Sequence, residues 1–217
     1  MIQLNKIYKF LLGLVFLAFL NSCSEEAPIE SNITNYATFE VIGGQYTMVE
    51  AGTTYNDPGV IAKAGETELP VTISGSVNTG QVGLYTLTYS ATNADGFSAS
   101  TSRYVIVADD PAYIAGNDLS GGYTRDENAA HTMTLTKIAD GYYQASDLLP
   151  PNNIRAVIVQ VSDTELTVPA QSSPFGEIGA GPSVFAGSSA TLVGGSDITL
   201  DLYISCCGLF NRTFLKD

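Results

Sequence analysis

The chain has 217 residues, with nine Lys and Arg against 22 Asp and Glu, a net charge of −13. An acidic surface of this kind repels nucleic acid and anionic headgroups, so nucleic-acid binding is excluded, while neutral glycans, peptides and cationic ligands stay open. The length suits one large or two small domains.

In chain order, Lys6 and Lys9 precede an uninterrupted apolar run from Phe10 to Leu20. A charged start followed by so short a run is a secretory signal, not a membrane span. Leu20-Asn21-Ser22-Cys23 then places an aliphatic residue three before a cysteine and a small residue directly before it. This resembles a bacterial lipobox. The resemblance implies that residues 1–22 are removed as a lipoprotein signal peptide and that Cys23 is lipidated, its soft thiol forming the thioether. Several acyl chains hold stably where one is marginal. Ser24-Glu25-Glu26 resembles the export signal that carries Bacteroidetes lipoproteins to the outer face of the outer membrane. The expected location is therefore the outer membrane, lipid-anchored and exposed on the cell surface. Removing Lys6 and Lys9 with the signal, and no acid, leaves seven basic residues against 22 acidic, a net −15. Residues 23–35, polar and without periodicity, form the lipidated tether.

Residues 36–108 alternate between short β-prone runs and turns. Asn56-Asp57-Pro58-Gly59 is turn chemistry. Tyr85, Leu87, Tyr89 and Ala91 alternate with Thr86, Thr88 and Ser90, one apolar and one hydroxylated face. Asn93-Ala94-Asp95-Gly96 turns the chain, and Ser102 to Val107 closes the unit. So many strands in so short a span predict a Greek-key sandwich. Tyr55 to Val60, Gly83-Leu84-Tyr85, Asp95-Gly96 and Arg103-Tyr104-Val105-Ile106-Val107 resemble the bacterial Ig-like domain of insecticidal crystal proteins and Bacteroidetes surface lipoproteins. That resemblance implies a spacer or adhesive unit. Asn93 stands where the family often has an acid, so no ion site is carried over.

Asp109-Asp110-Pro111 marks a boundary, and residues 109–217 read as a second antiparallel β domain, a barrel or a sandwich. His131 to Ile138 is strand-like. Asp140-Gly141 turns into Tyr142 to Ser146, and Ile154 to Val161 is an apolar, β-branched central strand. Gln171 to Pro182, rich in Gly, Pro and Ser, is expected to be a loop, and no helix is expected after the signal. The fold class is thus all-β throughout. Asp118 to Arg125, Lys137 to Tyr143 and Asn211-Arg212-Thr213-Phe214 resemble the C-terminal domain of two-domain Bacteroidetes lipoproteins of unassigned role. Some of these lie beside starch-utilisation-type importers, and the resemblance implies an accessory protein of nutrient uptake.

No catalytic constellation is visible. His131 lies at a strand start, with no Gly-x-Ser-x-Gly elbow to accompany it. Glu66 with Glu68, and Asp163 with Glu165, sit at strand ends and turns where carboxylates are solvated. No metal, zinc-ligand or phosphate-loop spacing occurs, and no cofactor is expected. Cys206 and Cys207 are adjacent, and the Cα spacing of about 3.8 Å across a trans peptide is shorter than usual disulfide geometry, so a vicinal disulfide needs a strained turn and two unpaired thiols, at least one of them buried, are expected in preference to it. Binding is expected to rest on aromatic rings. Phe175 sits in the Gly/Pro loop, and of Tyr142 and Tyr143 one faces in and the other out. These three are the ligand-binding candidates. The expected function is non-catalytic capture of a glycan or peptide nutrient in an importer complex; the alternative is a structural or adhesive module contacting host or neighbouring proteins.

Replacing Cys23 with Ala is expected to abolish fatty-acid labelling and association with outer membrane, read by metabolic labelling and fractionation.

Overall fold

Turns rich in Gly, Asn and Asp break the chain into strands too short to bury anything alone, so stability has to come from faces packed on one another. A computed structural model describes residues 34–217. The signal peptide, Cys23 and nearly all of the tether lie outside the described residues.

The first seven strands are β1 (Thr38–Val41), β2 (Tyr46–Glu50), β3 (Val60–Ala64), β4 (Thr67–Leu69), β5 (Thr72–Ser74), β6 (Gly83–Thr92) and β7 (Ser98–Ala108). They form a three-stranded sheet in the order β1-β3-β4 and a four-stranded sheet in the order β2-β7-β6-β5. β2 runs parallel to β7, with Tyr46 beside Tyr104 and Met48 beside Ile106. The alternation expected in β6 holds: Leu87, Tyr89 and Ala91 are buried. Between the sheets, Ala37, Ala62 and Ala91 form a small buried cluster with Phe39, Leu69 and Val71.

Much of the remaining space is taken by a charged group. Arg103 on β7 is fully buried. Its Nη1 donates to the Asp57 carboxylate and its Nη2 to the Ile42 carbonyl. Nη2 also reaches the Gly59 carbonyl at 3.1 Å, and Nε reaches that of Gly44 at 3.2 Å. The Tyr89 hydroxyl donates to the same Asp57 oxygen at 2.8 Å, and the guanidinium lies 5.7 Å from the Tyr89 ring centre. Burial and this hydrogen bond raise the Tyr89 hydroxyl well above the usual phenol range. The Asn93 turn is held by its own amide: Oδ1 accepts from the Asp95 and Phe97 N–H groups, and Nδ2 donates to the Asn35 carbonyl.

After β7 comes a short helix, α1 (Pro111–Gly116), where none was expected. The sequence carries its start signal. The Asp110 carboxylate accepts from the Tyr113 N–H, and Pro111 occupies the first turn, where a missing N–H costs nothing. At six residues the helix is too short for periodicity to reveal it.

The remaining strands are β8 (Gly121–Arg125), β9 (Asn128–Ala139), β10 (Tyr142–Ala145), β11 (Ala156–Gln160), β12 (Leu166–Ser173), β13 (Gly176–Ala180), β14 (Ser189–Val193), β15 (Asp197–Ile204) and β16 (Gly208–Lys216). Consecutive antiparallel pairing runs from β8 to β13, β13 pairs back onto β15, and β16 rejoins β8. The second domain is therefore an eight-strand antiparallel barrel, with β14 paired along the other half of β15. On β15 the pattern is strict: Ile198, Leu200, Leu202 and Ile204 are buried, while Asp197, Thr199, Asp201 and Tyr203 face outward. Tyr123, Met133, Leu135, Tyr143, Ile158 and Phe214 help fill the interior. The expected Gln171–Pro182 loop is largely sheet. β12 and β13 form a hairpin across Ser173 and Gly176, and the small residues read as loop signals serve as close-packing positions. A Cβ on Gly179 would sit 2.7 Å from the Phe185 ring.

Arg103→Ala is expected to destabilise the protein by about 3–5 kcal/mol, because it strands Asp57 and the carbonyls of Ile42, Gly44 and Gly59. Chemical denaturation measures the loss.

Candidate binding cleft

Strand β7 reads Arg103-Tyr104-Val105-Ile106-Val107-Ala108, apolar at consecutive positions apart from the arginine. Such a run belongs to a strand buried on both faces. Arg103, Val105 and Val107 face the sandwich interior. Tyr104, Ile106 and Ala108 face the other way and meet the outer wall of the barrel. There Tyr142, Val159 and Val161 pack with Ile106, Ala108 and Ile114, and with Tyr46, Met48 and Leu84. Each large apolar side chain buried in this seam contributes about 1.5–3 kcal/mol.

This seam decides the fate of two predicted site residues. Tyr143 is the one of the pair that faces in. It is fully buried in the barrel, its hydroxyl donating to the Asn117 carbonyl at 2.9 Å and accepting from the Leu119 N–H at 3.2 Å. Tyr142 faces out of the barrel, as alternation requires, yet is only 1% exposed, because the outer sheet of the sandwich covers it. Its hydroxyl donates to the Thr47 carbonyl at 3.1 Å, and burial pushes that hydroxyl far above the phenol range. Neither of these two ligand-binding candidates is an open platform, because both rings are buried. The turn before them allows the close approach. Gly141 has φ +77°, and a Cβ there would fall 2.8 Å from Ile106 Cδ1 and 2.9 Å from Ile114 Cγ2.

At one end the seam opens. β11 pairs with β12 only through Val159 with Thr167 and Gln160 with Leu166. The register of β12 then shifts between Val168 and Gln171, where Pro169 has no N–H to offer. The Gln171 amide replaces the lost ladder: Oε1 accepts from the Val157 N–H at 2.9 Å, and Nε2 donates to the carbonyls of Val157 and Pro169 at 3.2 and 3.0 Å. The diverging strands leave a cleft of about 420 Å³ walled by Tyr46, Leu84, Tyr104, Tyr142, Val157 and Pro169. Tyr46 and Tyr104 stack with ring centres 5.7 Å apart and planes 14° from parallel, and Tyr46 tilts onto Tyr142 at 4.9 Å. Tyr46 and Tyr104 are half-buried, and among the described residues neither hydroxyl has a hydrogen-bond partner. Leu84 also borders an adjoining hollow of about 490 Å³ that reaches Tyr85, Glu165 and Pro182.

A larger hollow of about 580 Å³ lies beside α1 and gathers Asp109, Asp110 and Asp163. It is a polar recess, and the Asp110 carboxylate is already engaged in capping the helix. Among the described residues no group of three or more His, Cys, Asp or Glu is placed to hold a metal ion. The tyrosine-walled cleft is the better binding candidate because its rings and aliphatic walls repay desolvation, as ligand sites at domain junctions do.

The other sequence candidates are scattered. Phe175 sits at the tip of the β12–β13 hairpin, 42% exposed, its N–H held by the Ser173 hydroxyl at 3.1 Å; it lines neither lobe of the cleft. His131 Nε2 lies 3.4 Å from the Asn128 amide. Cys206 and Cys207 are joined by a disulfide in the exposed turn between β15 and β16. This corrects the expectation of unpaired thiols: the hairpin turn brings the two sulfurs together where an extended strand would aim them at opposite faces. Sequence reasoning passed over Tyr46 and Tyr104, although the doubly apolar β7 run was their signal.

Residues 39–107 match the Ig-like domain of bacterial surface proteins. The matched stretch is a type of domain carried by bacterial surface proteins. Among solved structures, a lipoprotein from Bacteroides thetaiotaomicron is similar at 20% identity, over 84% of this chain and 100% of that one, with a TM-score of 0.36. A structure of CBM51-2 in complex with GlcNAc and INT domains from Clostridium perfringens ZmpB is similar at 14% identity over 65% of this chain, with a TM-score of 0.31; the chain spans only 29% of its length. No curated protein matches the chain.

Gly141→Ala is expected to cost about 1–3 kcal/mol by overpacking the seam at a left-handed position, whereas Phe175→Ala is expected to stay within about 0.5 kcal/mol. Denaturation curves of the two variants check the contrast.

Proposed function

We propose that this protein is a non-catalytic, lipid-anchored lipoprotein of the outer-membrane surface that captures a neutral glycan or peptide nutrient beside an outer-membrane importer. The observation that carries this reading is the uncharged, tyrosine-walled cleft where sandwich and barrel meet. Flat rings with free hydroxyls stack on sugar faces or on apolar peptide side chains while offering hydrogen bonds at their edges. The wall of that lobe contains no charged side chain, so a charged ligand entering it loses hydration without gaining a partner. The acidic remainder of the surface favours the same choice by repelling anions. Lipid at Cys23 holds the protein at the membrane where an importer works.

Binding of the full chain to arrayed neutral glycans and peptides identifies the ligand. Tyr46→Ala and Tyr104→Ala are each expected to weaken that binding by about tenfold or more, as loss of an aromatic anchor does, with the barrel still folded by circular dichroism. Binding that survives both changes removes the cleft as the site. If the chain binds intact host or neighbouring proteins and no glycan or peptide, it is adhesive.

A further inference from the structure

Strands β15 and β16 pair as far as Ile204 with Gly208, leaving Ser205, Cys206 and Cys207 as the connection. All three residues are exposed, and Cys206 and Cys207 are bonded to each other. The turn is closed by the Cys207 N–H on the Ile204 carbonyl at 2.9 Å. Gly208, at φ +90°, takes the left-handed position that ends a three-residue hairpin loop.

This turn is tied to a second one. The Ser205 N–H donates to the Glu177 carbonyl at 2.9 Å, and the Glu177 N–H donates to the Ser205 hydroxyl at 3.0 Å. The fit is close, since a Cβ on Gly176 would lie 2.1 Å from the Ser205 oxygen. Ser205 therefore links the disulfide directly to the hairpin tip that displays Phe175. It sits where β13 pairs with β15 through Ile178 with Ile204 and Gly179 with Tyr203, the pairing that closes the barrel.

We propose that Cys206–Cys207 is a thiol–disulfide exchange site that takes a dithiol, and that its reduction loosens the Phe175 hairpin through Ser205. A thiolate of the dithiol attacks one cysteine sulfur, the S–S bond breaks, and the other cysteine leaves as a thiolate and takes up a proton. The second thiol of the reductant then displaces the mixed disulfide and closes into its own ring. Two electrons and two protons pass to Cys206 and Cys207, and the dithiol becomes a disulfide. Exposure favours this exchange, since attack needs access to a sulfur. Disulfides persist in oxidising compartments outside the cytosol, so an exported chain holds this one closed until a reductant arrives. Opening it removes the ring that orients Ser205, and the two Ser205–Glu177 hydrogen bonds weaken with it.

The test treats the natively folded full chain with dithiothreitol, alkylates it, and maps the peptide containing Cys206 and Cys207. No label is expected without reductant and two labels with it. Hydrogen exchange at the Glu177 and Ser205 amides is expected to rise by about tenfold, the factor that losing one or two ordinary hydrogen bonds gives, while the β9 and β10 amides hold. The Cys206→Ser/Cys207→Ser double variant is expected to show the raised exchange from the start and no response to dithiothreitol. Labelling without reductant overturns the proposal, as does a disulfide that yields only when the barrel unfolds, or reduction that leaves both amides unchanged.

Discussion

A buried guanidinium holds the first half of this protein in register. Arg103 comes from the middle of β7 and gathers the carbonyls of Ile42, Gly44 and Gly59 and the Asp57 carboxylate. Between the two sheets it joins the β1–β2 connection, the Asn56–Gly59 turn and the long β6–β7 hairpin. The bond to Gly44 lies two residues before Tyr46, and the Tyr104 N–H donates to the Gln45 carbonyl at 2.8 Å. Together they place β2 parallel to β7, which brings Tyr46 beside Tyr104. A desolvated arginine is tolerated only when its donors are satisfied. Here Nε and both terminal nitrogens find acceptors, and the Tyr89 hydroxyl supplies a further hydrogen bond to Asp57.

What that register presents to the outside matters as much as what it encloses. One face of β7 completes the sandwich and the other completes the seam, so Ile106 and Ala108 are as buried as Val105 and Val107. On the barrel side β10 and β11 are likewise buried on both faces. The two halves share apolar surface that neither covers alone, and the described residues from Asn35 onward cluster as one compact unit. The cleft exists because this packing is interrupted at Pro169. There β12 leaves its neighbour, and a glutamine side chain takes over from the backbone.

The charge of the protein is arranged around this neutral cleft, not inside it. Asp201 accepts from the Ser189 hydroxyl and the Asn211 amide, which lowers its carboxyl below the usual range. Asp118 is lowered mainly by hydrogen bonds from Ser120. Lys137 is raised by its pairing with Asp140. These are surface arrangements at strand edges and turns, where partial solvation makes a charge cheap.

Much of the architecture was legible from residue order. Alternation in β6 assigned inward and outward faces, and turn residues such as Asn93-Ala94-Asp95-Gly96 and Asp140-Gly141 placed the hairpins. Both follow from local rules of backbone conformation and the two-residue period of a strand. The Asp110-Pro111 start signal of α1 was equally local, but the helix was too short to be noticed. Only the tertiary structure decided that Tyr142 is the one of the pair that faces out of the barrel, and that it lies under another sheet. It alone set Tyr46 against Tyr104, paired Cys206 with Cys207 across a hairpin turn, and turned a Gly/Pro stretch into close-packed strands. Periodicity records which side of a strand avoids water; it does not record which distant surface keeps the water away.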